Sequence, residues 1–249
     1  MTAPAIETEG LTKRFDETTV VDDLHLTVPT ESVYGFLGPN GAGKTTTMRM
    51  LTTLSTPTSG TARIVGNPVA DREAVVSHVG YLPEEPPLYD ELTGREQLRY
   101  VAGLRDMDAD AADERIDALL DRFDLTDDAD DRVGTYSKGM KQKAALVQAI
   151  LHDPDVVFLD EPTSGLDPRA ARTVRDLIAE LTERGMTVFL STHILPVVEE
   201  LADTVGVLHD GDLVAEDSPE RLTHRAESER SLEEVFLDVT SEEPATVER

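Results

Sequence analysis

Cysteine is absent from this sequence of 249 residues, and lysine occurs only five times. Without cysteine, the protein cannot form disulfide bonds, thiolate metal sites or a cysteine nucleophile. Long apolar runs are also missing, since none approaches the ~18 residues that a membrane-spanning helix needs. Residues 1–10 lack the basic and apolar regions of a signal peptide, so we expect a cytoplasmic protein. The hydrophobic content of 39 % is enough to bury a core in one large domain or two lobes.

Positive charge is scarce. Lysine and arginine together number 23 against 50 acidic residues, which gives a formal net charge of -27 at pH 7. We expect no nucleic-acid partner, because binding to phosphates requires a basic surface. One interpretation is that the protein comes from a halophilic microbe, since at ~1 M salt the Debye length is only ~3 Å and surface carboxylates barely repel. An ordinary acidic protein is the alternative.

A glycine-rich loop follows a short apolar run, Val33 to Leu37, that is typical of a buried strand. The loop fits the pattern G-x-x-x-x-G-K-[ST], and its glycines allow backbone N–H groups to surround a phosphate. Lys44 is expected to reach the β- and γ-phosphates, and the Thr45 hydroxyl to bind Mg²⁺. A chance match is disfavoured because a helical pattern follows the loop. We call this segment the phosphate loop and assign nucleotide binding to Gly38, Pro39, Asn40, Gly41, Ala42, Gly43, Lys44, Thr45 and Thr46.

Two adjacent carboxylates follow a second apolar run, Val156 to Leu159. Asp160 and Glu161 would then lie at the carboxyl edge of a sheet, where ligands bind in α/β folds. Asp160 suits Mg²⁺, and Glu161 suits a general base for an attacking water. His193 ends the next apolar strand and could contact the γ-phosphate and that water. An exposed acidic strand end is the alternative, and it is weakened by the phosphate loop upstream.

The order of the patterns predicts an α/β fold with a helical insertion. Strand patterns precede residue 84, helical patterns extend from about 92 to 152, and strand patterns return after Pro154. The Thr93-Gly94-Arg95-Glu96 segment has the spacing of a capping box. We expect one domain over 1–249. Its predicted parts are a core of residues 1–84 and 153–216, a helical subdomain of residues 85–152, and C-terminal helices with a tail over 217–249.

Further motifs make the chain similar to a known family from about Ile6 to Phe236. Ser137-Lys138-Gly139-Met140-Lys141-Gln142 resembles the signature sequence of ATP-binding cassette (ABC) transporter subunits, and Ser164-Gly165-Leu166-Asp167 resembles their D-loop. His193 stands at the position of the switch histidine. Phe15 stands at the position of the aromatic residue that stacks on adenine. The resemblance implies a P-loop NTPase core with a mixed sheet and an inserted helical subdomain.

Two positions depart from the usual family pattern. Lys138 replaces a glycine of the signature, and Glu84 replaces a glutamine that contacts Mg²⁺. A carboxylate at position 84 can still bind Mg²⁺. The lysine could face a phosphate or point to solvent. Both variants, together with the segment from Ser231 to Leu237, resemble ATPases of type-2 ABC exporters.

The resemblance implies an ATP-hydrolysing subunit that powers a separate integral-membrane permease, with ATP and Mg²⁺ as cofactors. Such a subunit pairs with a second copy of itself or with a paralogous ATPase, and it lies on the inner face of the cell membrane. Ser137 and Gly139 would then contact the nucleotide bound by the other subunit, and Asp167 is also assigned to nucleotide binding. The alternative is a non-transport ABC ATPase that acts on ribosomes or DNA. It is disfavoured by the single cassette, the lack of sustained heptads and the acidic charge.

Overall fold

A computed structural model describes residues 3–224 and 232–241 of the protein. The predicted tail extends past Ser241, and its residues 242–249 lie outside the described ranges, as does Ser231. The strands are β1 (Ile6–Phe15), β2 (Thr18–Val28), β3 (Val33–Leu37), β4 (Ser59–Ile64), β5 (Asn67–Pro68), β6 (Val79–Leu82), β7 (Val156–Asp160), β8 (Thr187–Thr192), β9 (Thr204–His209) and β10 (Asp212–Asp217). The helices are α1 (Lys44–Leu51), α2 (Arg72–Val76), α3 (Gly94–Leu104), α4 (Ala109–Arg122), α5 (Lys138–Ile150), α6 (Pro168–Glu183), α7 (Leu195–Leu201), α8 (Pro219–His224) and α9 (Leu232–Ser241).

The larger sheet has the strand order β10-β9-β3-β8-β7-β6 in the described part of the chain. Strands β9, β3, β8, β7 and β6 are parallel, and β10 pairs antiparallel with β9, so the predicted mixed sheet is confirmed. All residues of β3, β7 and β8 are buried. Parallel strands covered on both faces read as continuous apolar runs, which is why these strands could be predicted.

A smaller antiparallel sheet, with the order β2-β1-β4-β5, packs over one face of the larger one. Ile6 and Leu26 from this sheet share a buried cluster with Phe36, Phe158 and Phe189 of the larger sheet. Strand β2 was missed by the sequence analysis. Its pairing with β1 shifts register at several points, and two adjacent aspartates interrupt its apolar–polar alternation.

The helices α3, α4 and α5 lie between β6 and β7 in sequence. Strands β6 and β7 are neighbours in the sheet, with Leu82 opposite Leu159. The chain therefore leaves the sheet for this insertion and returns from it on adjacent strands. The insertion packs its apolar side chains, including Ile116 and Leu146, into one cluster with Val157 and Leu190 of the sheet. The exact limits of the subdomains, 84/85 and 152/153, stay a prediction.

Helix ends agree with the local signals except after the phosphate loop. The capping box at Thr93 is confirmed, since its hydroxyl accepts from the Glu96 N–H while the Glu96 carboxylate accepts from the Thr93 N–H. In the sequence, Thr47, Met50, Leu51 and Leu54 have the spacing of one helix face. Helix α1 ends at Leu51, so the helix predicted from this stripe was one turn too long. The Leu54 side chain is 55 % exposed.

Candidate functional site

The phosphate loop connects the central strand β3 to helix α1 and requires glycine at specific points. Gly43 has a φ of 106°, and a Cβ atom there would lie 2.5 Å from the backbone oxygen of Val20. A Cβ atom on Gly38 would lie 2.4 Å from the backbone oxygen of Leu208. No side chain caps the start of α1. Its first N–H groups therefore remain available to an anion, at the positive end of the helix dipole.

Lys44 lies at the first position of α1 and turns back over the loop. Its ammonium donates to the backbone oxygens of Gly38, at 2.7 Å, and Pro39, at 3.2 Å. The same nitrogen lies 3.9 Å from Oε1 of Glu161. Burial lowers the pKa of Lys44, while the neighbouring carboxylates of Glu161, Asp160 and Glu84 oppose that shift. The two backbone oxygens therefore fix the Lys44 ammonium in the loop, where it could also contact the phosphates of a bound ligand.

Asp160 forms the end of β7 and is 1 % exposed. Its Oδ2 atom accepts a hydrogen bond of 2.8 Å from the Thr45 hydroxyl. Burial raises the pKa of the Asp160 carboxyl, and the Thr45 hydrogen bond acts in the opposite direction. The two residues that were predicted to share a metal ion thus meet directly, although 115 positions separate them in sequence.

Glu161 follows in an unusual backbone conformation, with a φ of 50°. Its N–H donates to the Ser191 carbonyl at the end of β8. The Thr192 hydroxyl donates to Oε2 at 3.0 Å, and Nδ1 of His193 forms a hydrogen bond of 2.8 Å with Oε1. Both carboxylate oxygens are therefore oriented by neighbours from the same strand end. Left-handed backbone at a residue other than glycine is a strain that often marks functional sites.

These side chains line one open cleft of about 490 Å³. The wall is formed by Val20, Pro39, Asn40, Gly41, Gly43, Lys44, Thr45, Thr46, Glu84, Asp160, Glu161, Ser164 and His193. Most predicted phosphate-loop and carboxylate residues are thus brought together, with Glu84 among them. The sequence analysis assigned no role to Val20 and named Ser164 only as part of the segment that resembles the D-loop. Recognising β2 as a strand could have indicated Val20.

The remaining predicted residues lie outside this cleft wall in the described structure. Gly38 and Ala42 are buried within the phosphate loop. Phe15 at the end of β1 is 50 % exposed, with the Lys13 ammonium 4.9 Å from its ring centre. Ser137 caps α5 by accepting from the Met140 N–H, with Gly139 in the first turn of that helix. Asp167 caps α6 through two backbone N–H groups.

Comparison with known proteins identifies the family. A family model described as ABC transporter matches residues 21–164. The chain belongs to the ABC transporter ATP-binding family. The bacitracin transport ATP-binding protein BcrA of Enterococcus faecalis is 41% identical over 213 residues, covering 85% of this chain and 68% of the relative. The Nod factor export ATP-binding protein I of Burkholderia lata is 38% identical over 248 residues, covering 99% of this chain and 80% of the relative.

A solved structure of the same family supports the fold. The ATP-binding subunit of an ABC transporter superposes with a TM-score of 0.84 at 32% identity, covering 95% of this chain and 99% of that one. ABC transporter ATP-binding subunits bind and hydrolyse ATP, so this chain is an ATPase. No helix within residues 3–224 and 232–241 is both long and apolar enough to span a bilayer.

Proposed function

We propose that this chain hydrolyses Mg²⁺-bound ATP as one of two paired subunits and thereby powers a separate integral-membrane permease that exports its cargo. The observation that carries the proposal is that Thr45, Asp160 and Glu161 line one cleft with the phosphate loop, where the Lys44 ammonium lies 3.9 Å from Glu161. These are the groups that hold a nucleoside triphosphate, its metal ion and the attacking water in phosphoryl transfer.

The phosphates would lie along Gly38 to Thr46, against the backbone N–H groups and the Lys44 ammonium. The donor set fits Mg²⁺, which needs one or two carboxylates and takes its other ligands from phosphates and water. Within the described ranges, no three acidic or histidine side chains form a metal cluster by themselves, so a nucleotide would complete the site. We assign the metal ligands to Thr45, Glu84 and Asp160. The ion would neutralise charge on the phosphate oxygens.

Glu161 is proposed as the general base. A water attacks the γ-phosphorus, the bond to the β,γ-bridging oxygen breaks, and the electron pair leaves with ADP. The water's proton passes to the Glu161 carboxylate, whose orientation is supported by Thr192 and His193. The exposed part of His193 would contact the γ-phosphate and the water.

The predicted nucleotide-binding residues that lie outside the cleft wall support the pairing of two subunits. Ser137 and Gly139 stand at the start of α5, where backbone N–H groups and the helix dipole attract anions. We propose that they, with Asp167, contact the nucleotide held by the other subunit, which is a second copy or a paralogous ATPase. Phe15 is proposed to stack on the adenine at its own site.

The transport role is supported by the relatives. Their names specify bacitracin transport and Nod factor export. We propose that this chain likewise serves an exporter and is held on the inner face of the cell membrane by its permease. A strongly acidic chain is poorly suited to ribosomes or DNA, so co-purification of the tagged chain with a membrane protein is the expected result. Co-purification with ribosomes or DNA instead would contradict the transport role.

Replacement of the proposed base tests the hydrolytic mechanism. The Glu161→Gln variant keeps the side chain's size and should lower kcat by roughly 10²-fold or more, the usual contribution of a general base. It should still bind ATP and should accumulate as an ATP-bound dimer in light scattering. Glu114→Gln, an exposed position on α4, is the matched control and should retain wild-type turnover. An active monomer whose turnover survives Glu161→Gln would refute the mechanism.

A further inference from the structure

Lys138, the unusual residue of the signature sequence, lies against a glycine of the same subunit. It is the first residue of α5, and its side chain reaches across to the loop before α6. A Cβ atom on Gly165 would lie 2.2 Å from Nζ of Lys138 and 3.5 Å from its Cε. The exposed side chain of Lys138 therefore lies over the exposed Gly165, and its flexible end occupies the place that a Cβ atom at position 165 would take.

The ammonium of Lys138 uses none of its hydrogen-bond donors in the part of the chain that the structure describes. Each of the other lysines has an acceptor or an acidic partner: Lys13 at Thr56, Lys44 at Gly38, Lys141 at Asp90 and Lys143 at Asp124. In a chain of net charge -27, carboxylates are abundant. Among the described residues, this ammonium lies against Gly165 and has no carboxylate within ion-pair distance.

The loop under Lys138 leads directly to the proposed base. The Ser164 N–H donates to the Glu161 carbonyl at 3.0 Å, which closes a tight turn, and Ser164 itself lines the cleft. Gly165 follows with a φ of 63°, a conformation that favours glycine. A shift of Gly165 would therefore reach the backbone of Glu161 through a single hydrogen-bonded turn.

The first turns of α5 and α6 also meet at a second point. A Cβ atom on Gly139 would lie 3.1 Å from Cβ of Ala170 on α6. The start of α5, the turn at 161–166 and the start of α6 thus form one packed unit. Two glycines, Gly139 and Gly165, allow this close approach.

We propose that Lys138 is a positioning residue that couples the signature sequence to the base of its own subunit. This proposal rests on the proposed function. When Ser137 and Gly139 engage the nucleotide of the other subunit, the first turn of α5 adjusts, and Lys138 transmits the adjustment through Gly165 and Ser164 to Glu161. ATP hydrolysis at one site then depends on the nucleotide bound at the other. A glycine at position 138 has no side chain to make this contact.

A double-mutant cycle between Lys138 and Gly165 tests the coupling. Lys138→Ala should lower kcat roughly tenfold, less than the ~10²-fold that a 1 Å misplacement can cost, and leave the KM for ATP unchanged. Gly165→Ala should lower kcat as well, since its methyl group displaces the ammonium. In the Lys138→Ala background there is no ammonium to displace, so the second substitution should cost clearly less. If Gly165→Ala fails to fold, Gly165→Asn replaces it, because asparagine tolerates positive φ.

The controls separate coupling from folding and from the proposed function itself. Lys138→Arg should restore most of kcat, and Lys143→Ala, which removes a lysine from the same helix, should change neither kcat nor KM. Melting temperatures of the position-138 variants should match the wild type. Equal effects of the position-165 substitution in both backgrounds, or an unchanged kcat in Lys138→Ala, would overturn the coupling alone. A wild-type protein that does not hydrolyse ATP would overturn the proposed function and the coupling with it.

Discussion

The buried carboxylate of Asp160 lowers the stability of the fold but belongs to the proposed metal site. Its carboxyl is buried at the end of β7, and burial raises its pKa. A raised pKa means that the folded state binds a proton more readily than the unfolded state. The charged carboxylate therefore destabilises the fold at neutral pH, and this penalty fades as the pH falls towards the unfolded value of ~3.9. A metal site nevertheless needs the charged form.

Asp160→Asn should accordingly stabilise the nucleotide-free protein and inactivate it. The amide can still accept from the Thr45 hydroxyl, but it carries no charge. We expect the melting temperature at pH 7–8 to rise, by about 2–4 °C for each kcal/mol gained in a chain of this size, and the gain to shrink as the pH approaches ~4. ATP hydrolysis should be lost. Calorimetry across pH measures the effect, with exposed Asp121→Asn as control, and a gain that grows towards acid pH would contradict the argument.

The site residues could be predicted where short local sequence patterns indicate their chemistry. Lys44 and Thr45 follow from the glycine spacing, and Asp160, Glu161 and His193 follow from polar residues at the ends of apolar strands. The left-handed backbone of Glu161 could not be predicted, because it depends on the Ser191 carbonyl across the sheet. The same holds for the Lys138 contact, which depends on how two helix starts pack.

At the scale of elements, Ser137 has two roles that can be separated. Its hydroxyl caps α5 by accepting from the Met140 N–H, and we propose that it also contacts the other subunit's nucleotide. Ser137→Ala should remove both roles and cost about 1 kcal/mol of stability, the usual value of an N-cap.

Ser137→Asp separates these roles, because aspartate caps a helix as well as serine but repels a phosphate. We expect it to melt like the wild type and to hydrolyse ATP far more slowly. Denaturant unfolding and steady-state turnover measure the two effects. Wild-type turnover in Ser137→Asp would contradict the nucleotide contact, and wild-type stability in Ser137→Ala would contradict the cap.

Elements with strong local signals were predicted well, and those stabilised by distant partners were not. The predicted strand Val33 to Leu37 has the bounds of β3, and the capping box of α3 matches the structure. Strand β2 was missed although Leu24, Leu26 and Val28 alternate with polar residues. The two adjacent aspartates before Leu24 break this alternation, and there the pairing with β1 shifts its register. Short helices such as α2 and α7 have too few turns to show a period.

The whole molecule has an excess of negative charge on the fold of an ABC ATP-binding subunit. If the acidity is an adaptation to high salt, screening should stabilise the fold, because repulsion between surface carboxylates weakens as the Debye length falls. We expect the melting temperature to rise between dilute buffer and ~1–2 M KCl, where the Debye length is ~3 Å or less. Sucrose at matched osmolarity is the control. Equal stability at low and molar KCl would exclude the halophilic interpretation.

The central strand has a consequence for how this protein is made. Strand β3 lies between β8 and β9, and both neighbours come from the last part of the chain. On the ribosome, residues 33–37 therefore emerge long before residues 187–192 and 204–209 exist. Synthesis proceeds at ~5–20 residues per second, so this apolar strand and the phosphate loop remain unpaired for many seconds. The nascent chain should therefore bind chaperones over that interval and gain the ability to bind ATP only after β9 has left the ribosome.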